Sequence, residues 1–166
     1  MVAAASESQH NAMARLADLG LRLPPVAAPV AAYVPAVRSG DLVFTSGQLP
    51  FVDGVLPATG LVSADGADGT VSAERASELA ARCALNALAA VHALVGLPAG
   101  LRVVKVTGFV ASAPGFTGQP GVVDGASQLL GEMFGDHGRH ARSAVGVAAL
   151  PLGSPVEIEL ILQVPN

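Results

Sequence analysis

Cysteine, lysine, tryptophan and aromatic residues are scarce in this chain of 166 residues. It has one cysteine, one lysine and no tryptophan, and aromatic residues make up 4 % of it. A single cysteine excludes an internal disulfide and a metal cluster held by several thiolates. The sequence also lacks the motifs of a phosphate-binding P-loop, a zinc metalloprotease and a serine hydrolase. None of those chemistries is therefore expected.

Charged residues are few as well, at 13 %, and their balance does not favour nucleic acid. The formal net charge is −4, and no cluster of Lys and Arg forms a basic stripe. Proteins that bind DNA or RNA use such stripes to neutralise phosphates. We therefore expect no nucleic-acid partner.

Hydrophobic residues make up 51 % of the chain, a composition that excludes disorder. The surplus of apolar residues predicts that part of the exterior is covered in an oligomer. The uncharged helical stretch Cys83–Val95 spans about 20 Å, which is shorter than a membrane core of about 30 Å. The first ten residues lack the charged and apolar regions of a signal peptide. We expect a cytoplasmic protein without a membrane partner.

The first 26 residues predict an N-terminal arm, and residues 27–166 predict one domain. In the arm, residues 7–19 predict a short helix that ends at Gly20, and the prolines that follow predict an extended chain. In the domain, the patterns predict two helices, which begin after Ser72 and at Val122 and end before Gly96 and Gly135, and strands at Tyr33–Val37, Leu42–Gln48, Arg102–Ser112, Ala141–Leu150 and Val156–Val164. The order β-β-α-β-α-β-β predicts an α+β fold in which both helices cover one face of a sheet.

Arg142 is the only charged residue in the strand pattern Ala141–Val147. A guanidinium in an otherwise apolar strand needs a partner. One interpretation is an ion pair with Glu157 or Glu159 of the last strand, within one subunit or between subunits. The other is an anionic ligand, because the planar fork of Arg binds a carboxylate through two hydrogen bonds.

Other polar residues carry weaker signals. His137 and His140 lie three residues apart, but no Cys or third His stands near them, so the sequence predicts a solvated loop and no metal site. Cys83 lies on the apolar side of the first long helix and is expected to be a buried, unreactive thiol. The glycine-rich loop Gly115–Gly121 fits no phosphate-binding motif.

Two motifs resemble the RidA family, which is also called YjgF or L-PSP. The block from Gly138 to Val164, GRHARSAVGVAALPLGSPVEIELILQV, has an Arg-Ser strand, a Leu-Pro turn and a final Val-Glu-Ile-Glu strand. Further toward the N-terminus, a Tyr-x-x-x-Val strand begins at Tyr33, and Val-Phe-Thr-Ser-Gly-Gln ends at Gln48. The motifs stand in the family's order, and the resemblance runs from Ala27 to Val164.

The resemblance implies a fold and a reaction. The fold is chorismate-mutase-like, and three copies form a homotrimer with a central barrel and clefts between subunits. Active members of the family hydrolyse enamine and imine intermediates of amino-acid metabolism to 2-oxo acids and ammonia. No metal or other cofactor is implied, because an imine is already electrophilic and needs only a positioned water and a proton donor.

The resemblance also assigns roles to residues of this chain. Arg142 is expected to bind the substrate carboxylate. Glu157 is expected to lie near the attacking water or the leaving nitrogen. Tyr33, Ser46 and Gly47 are expected to line the cleft.

The chain departs from the family pattern at two places. Ala144 stands where deaminating members commonly have Cys, although the family uses the backbone carbonyl there as well. The loop in APGFTGQPGVVDGAS is longer than the corresponding loop of the deaminating members. Asp124 is the candidate for the ligand-binding residue that this loop contributes in those members. These departures leave two functions open, a deaminase and a non-catalytic trimeric binding module for small carboxylates. A ribonuclease, proposed for some relatives, fits poorly with the acidic composition.

Overall fold

The computed structural model describes residues 12–26 and 32–165. Along the chain the elements are α1 (Ala12–Asp18), β1 (Ala36–Ser39), β2 (Leu42–Thr45), β3 (Val62–Ser63), β4 (Val71–Ser72), α2 (Ala73–Val95), β5 (Arg102–Ala111), α3 (Gln119–Phe134), β6 (Ala141–Val147) and β7 (Val156–Gln163), with short 3₁₀ turns at Gly135–Gly138 and Pro151–Gly153. The predicted α+β class is confirmed. The two-residue strands β3 and β4 are additions to the predicted elements.

Several element boundaries differ from the predicted ones. The first strand begins at Ala36, because Pro35 has no N–H group to donate to a neighbouring strand. Helix α3 begins at Gln119, three residues earlier than predicted, because Pro120 is accepted in the first turn of a helix. Strand β6 ends at Val147. Of the predicted N-terminal helix, residues 7–11 lie outside the described residues, as do residues 27–31 at the start of the predicted domain.

Five strands form one sheet in the order β1-β2-β7-β5-β6, and β3 pairs with β4 apart from it. Strands β5 and β6 are parallel, and the other neighbours are antiparallel. One face of β5 and β7 carries apolar side chains that are almost completely buried, among them Val106, Val110, Ile158 and Leu160. Helices α2 and α3 pack over this face, which we call the helix face.

The opposite face of the sheet, the open face, bears no helix of the described chain. Cross-strand partners place there Val37, Phe44, Lys105, Thr107, Phe109, Ser143, Val145, Glu157, Glu159 and Ile161. Val37, Phe44 and Val145 are exposed although they are large and apolar. Lys105, the only lysine, donates from Nζ to Ser143 Oγ at 2.8 Å. These apolar residues are candidates for the surface that the composition predicts to be covered in an oligomer.

Helix α2 is the central helix of the core. The predicted cap is confirmed, because Ser72 Oγ accepts a hydrogen bond from the backbone N–H of Arg75 at 3.1 Å. Cys83 is completely buried, as predicted, and its thiol points at the carbonyl of Val156. By length and composition alone α2 is long and apolar enough to cross a bilayer, but 56 % of its most apolar window is buried inside the protein. That burial is typical of a core helix.

Helix α3 lies unusually close to both of its neighbours. A Cβ at Gly125 would overlap the carbonyl oxygen of Ser77 on α2, so only glycine permits this crossing. Toward the sheet, Val123 fills the space that a side chain at Gly108 would need. Ala12 and Leu16 of α1 are buried in the same core.

We expect Gly125→Ala to destabilise the fold by about 2 kcal/mol or more, because backbone atoms of α2 must move to admit the methyl group. Gly131→Ala is the matched control, since it lies in the same helix with nothing within 4 Å of the added Cβ. It should stabilise by about 0.5–1 kcal/mol through helix propensity. Urea unfolding of both variants checks the pair, and equal stability of the two would contradict the tight crossing.

Candidate functional site

Arg142 is held on the helix face by two residues of α3. It pairs in register with Val106, whose side chain is buried beneath the helices. Its Nη1 donates to Asp124 Oδ1 at 2.6 Å and to Ser127 Oγ at 3.2 Å. Asp124 and Ser127 are three residues apart, so they lie on the same side of α3. The predicted residues Arg142 and Asp124 are therefore brought together.

The partner of Arg142 within the chain is not the predicted one. Glu157 and Glu159 pair in register with Phe109 and Thr107, which places both carboxylates on the open face. Arg142 lies on the other side of the sheet and pairs with Asp124. An ion pair from Arg142 to Glu157 or Glu159 of the same chain is therefore wrong.

One edge of the Arg142 guanidinium has no hydrogen-bond acceptor in the described part of the chain. Its two contacts to α3 both use Nη1. Among the described residues, nothing accepts a hydrogen bond from Nε or Nη2. These two nitrogens form a planar fork that matches a carboxylate, and the side chain is 27 % exposed. We call this edge the free fork.

Glu157 occupies a recess formed by an irregularity between β2 and β7. Phe44 pairs with Ile161 and Gln48 bridges to Ile158, so three residues oppose two. Thr45 Oγ1 fills the gap by accepting a hydrogen bond from the N–H of Leu160 at 2.9 Å. The extra residue makes the chain at Ser46 and Gly47 bulge away from β7.

The missing side chain of Gly47 makes room for the carboxylate of Glu157. A Cβ at Gly47 would overlap Glu157 Oε1. Burial raises the pKa of Glu157 above its ordinary value, and the neighbouring Glu159 adds to the shift. Within the described residues Glu157 has no ion pair to offset that cost. Its carboxyl group therefore holds a proton at a higher pH than an ordinary Glu does.

Ser46 connects this recess to the segment that carries Tyr33. Its hydroxyl donates to the carbonyl of Val34 at 2.7 Å, and its backbone N–H donates to the carbonyl of Pro35 at 2.9 Å. Tyr33 itself is 52 % exposed. The structure thus keeps Tyr33, Ser46, Gly47 and Glu157 in one region.

The predicted site residues fall into two groups. The arginine half-site contains the predicted residues Arg142, Asp124 and Ala144 together with their unpredicted neighbour Ser127, and the glutamate half-site contains Tyr33, Ser46, Gly47 and Glu157. Ala144 belongs to the first group because it pairs with Gly108 on the helix face. Arg142 on β6 and Glu157 on β7 are separated by two interstrand spacings across the sheet and by three residues along the strands. This corresponds to roughly 14 Å between their Cα atoms. One chain therefore does not bring the two charged groups together.

A family model described as Endoribonuclease L-PSP matches residues 25–164 of this chain. The chain belongs to the L-PSP family, also called RidA or YjgF. The resemblance in its motifs is thereby confirmed.

Relatives of this L-PSP chain match most of its length. Protein TCP17 of Trypanosoma cruzi is 44 % identical over 155 residues, which are 92 % of this chain and 94 % of TCP17. The crystal structure of Atu1372, a protein of unknown function from Agrobacterium tumefaciens, is 41 % identical, covers 96 % of both chains and has a TM-score of 0.82.

A more distant L-PSP relative carries a functional name. TdcF of Escherichia coli (strain K12), provisionally named a reactive intermediate deaminase, is 32 % identical over 131 residues, which are 78 % of this chain and 84 % of TdcF. The crystal structure of E. coli TdcF with bound serine has a TM-score of 0.59 at 29 % identity and covers 87 % of this chain and 94 % of that one. Family members therefore bind small ligands of this kind.

Ser127 and His140 are site neighbours that the sequence does not predict. His140 is half-buried and accepts or donates a hydrogen bond at Ser127 Oγ over 3.0 Å, so it is not the solvated loop residue expected from its position. The sequence feature that could have predicted Ser127 is its spacing, since it follows Asp124 by three residues and so lies on the same side of the helix. Among the described residues no group of three or more His, Cys, Asp or Glu is placed to hold a metal ion.

We expect Gly47→Ala to push the carboxylate of Glu157 out of its recess without unfolding this L-PSP protein, because the overlap is with the end of a flexible side chain. Exposure to water removes the desolvation that raises the pKa, so the pKa of Glu157 should fall toward its ordinary value. A ¹³C NMR titration of the side-chain carboxyl carbons measures this. An unchanged pKa in a folded Gly47→Ala protein would show that Gly47 does not shape the recess.

Proposed function

We propose that this protein hydrolyses enamine and imine intermediates of amino-acid metabolism to 2-oxo acids and ammonia. The observation that supports this most is the free fork of Arg142, which is oriented by Asp124 and Ser127 and has no acceptor among the described residues. A 2-imino acid carries a carboxylate next to its reactive C=N bond. Binding of that carboxylate by the free fork fixes the position of the reacting carbon.

The reaction needs one water and two proton transfers. The oxygen of water bonds to the imine carbon, and one proton of that water reaches the nitrogen. The second proton then passes from the new hydroxyl group to the nitrogen, the C–N bond breaks, its electron pair leaves with ammonia, and a C=O bond remains. Glu157 suits the proton transfers because its raised pKa brings the carboxyl group closer to half-protonation near neutral pH.

The two half-sites imply that the working site lies between subunits. Arg142 and Glu157 lie on opposite faces of the sheet of one chain, so a neighbouring copy must supply the second group. The edge strand β6 has no further strand beside it in the described chain, and the open face exposes Val37, Phe44 and Val145. Both features favour assembly, which we propose to be a homotrimer with the sites in the clefts between subunits.

The names of relatives agree with this proposal. TdcF carries a deaminase name, and its crystal structure contains serine, an amino acid with the carboxylate that the free fork would bind. The family is also described by an endoribonuclease name. A small carboxylate suits this acidic chain and the free fork of Arg142 better than a polyanionic RNA does.

We expect Arg142→Ala to lower kcat/KM for 2-iminopropanoate by about 100-fold or more, because two charge-assisted hydrogen bonds to the substrate are lost. The imine is generated in situ by an amino-acid oxidase, and what remains is trapped with semicarbazide. Arg139→Ala is the matched control, since Arg139 is 83 % exposed and pairs only with Asp136 on the surface. Wild-type activity in Arg142→Ala would end the assignment of Arg142.

Mixed assemblies test whether the site is shared. Arg142→Ala and Glu157→Gln chains are co-expressed with different tags, and assemblies that contain both chains are purified. If each site takes its arginine from one chain and its glutamate from the next, one site in three is intact in every trimer that contains both chains, so the purified mixed trimers should regain about a third of the wild-type activity. If both residues act within one chain, the mixture stays as inactive as its parents.

A second candidate function is a trimeric module that binds small carboxylates without turnover. Asp124 favours it, because its charge already offsets that of Arg142, and Ala144 brings no thiol to the site. Saturable binding of 2-oxobutanoate in calorimetry, without faster loss of 2-iminobutanoate or release of ammonia, would select this function. Acceleration of imine loss by the wild-type protein would select the deaminase.

A further inference from the structure

The side chains behind Arg142 form a continuous chain of hydrogen bonds. His140 Nδ1 lies 2.6 Å from the carbonyl oxygen of Gly138, and His140 Nε2 lies 3.0 Å from Ser127 Oγ. Ser127 Oγ also accepts from Arg142 Nη1. The connection therefore runs from Gly138 through His140 and Ser127 to the guanidinium that carries the free fork.

The direction of each bond follows from the chemistry of the groups. A carbonyl oxygen only accepts, so an imidazole with a single N–H group in this position carries its proton on Nδ1. Nε2 is then an acceptor, and the hydroxyl of Ser127 donates to it. Because the single hydroxyl proton points to His140, the lone pairs of Ser127 Oγ remain directed toward Arg142.

The starting point of this chain is closely packed. Gly138 is buried, and a Cβ there would overlap the carbonyl oxygen of Leu130 on α3. The backbone at Gly138 is therefore packed directly on the helix that also carries Ser127 and Asp124. The Nδ1 side of His140 is therefore bonded to a residue that packs on α3, and its Nε2 side is bonded to Ser127 of α3 itself.

We propose that His140 is a positioning residue that orients Arg142 through Ser127, so that the free fork points into the cleft. This inference rests on the proposed binding of a carboxylate by Arg142. Asp124 alone holds Nη1 through one bond, about which the guanidinium can swing, whereas Asp124 and Ser127 together fix its plane. Ser127 is not proposed as a nucleophile, because it lies inside α3, where backbone N–H groups are already bonded and none is free to stabilise an oxyanion.

Two substitutions at one position separate hydrogen bonding from packing. His140→Gln keeps an acceptor oxygen near the position of Nε2, whereas His140→Leu keeps the bulk and removes the acceptor. We expect His140→Leu to raise KM for 2-iminopropanoate, or Kd for 2-oxobutanoate, by about fivefold or more with kcat little changed. His140→Gln should stay within about twofold of the wild type. The control is His92→Ala, an exposed histidine on α2.

Ser127→Ala tests the same connection if His140→Leu does not fold, because alanine is well tolerated inside a helix. It should raise KM or Kd as His140→Leu does. Wild-type KM and Kd in folded His140→Leu or Ser127→Ala would overturn the proposal. Equal impairment of His140→Gln and His140→Leu would overturn it too, since the acceptor would then be irrelevant.

NMR of the ligand-free protein tests the positioning independently of any reaction. In ¹⁵N-labelled wild-type protein we expect the Nδ1–H tautomer of His140 and a rigid Nε–H group of Arg142. In Ser127→Ala we expect the Nε–H group of Arg142 to be mobile. If the wild type neither binds carboxylates nor hydrolyses imines while these signals appear as expected, the proposed function fails and the positioning of Arg142 holds. An Nε2–H tautomer, or an equally rigid Arg142 in Ser127→Ala, refutes the positioning itself.

Discussion

The close packing of α3 is the constraint on which the arginine half-site depends. Gly125 lets α3 cross α2 in contact with the Ser77 carbonyl, and Val123 fills the space above Gly108 in the sheet. This places Asp124 within 2.6 Å of Arg142. A helix displaced by the width of one methyl group would lengthen that contact beyond hydrogen-bonding distance. Gly125 and Gly108, which have no side chain of their own, thus determine how the charged group is held.

The core elements could be predicted from the sequence because their patterns are strong. The long apolar stripe after Ser72 and the alternation from Val156 to Gln163, which only Ile161 interrupts, each fit only one kind of element. The alternation also places Glu157 opposite the buried residues of its strand, and the structure agrees. The start of β1 is harder to predict from the sequence, because Tyr33 and Val34 favour a strand while Pro35 prevents pairing.

The partner of Arg142 could not be predicted for a physical reason. Strand β6 has small or apolar residues on both sides, so its sequence does not reveal which side faces the helices. Its pairing with β5 determines that Arg142 meets α3, and such registers depend on the whole sheet. The role of His140 could not be predicted either, because its contact with Ser127 joins residues that are 13 positions apart across a turn. A serine in a helix and a histidine in a loop otherwise resemble solvated residues.

The single lysine has a chemical consequence of its own. Primary amines condense with 2-oxo acids to form Schiff bases, and most proteins of this size display many such amines. Here the cationic side chains are eight arginines and Lys105, whose Nζ is engaged with Ser143 on the open face. The 2-oxo acids that the proposed reaction would release therefore meet one side-chain amine, on the face that neighbouring subunits are proposed to enclose.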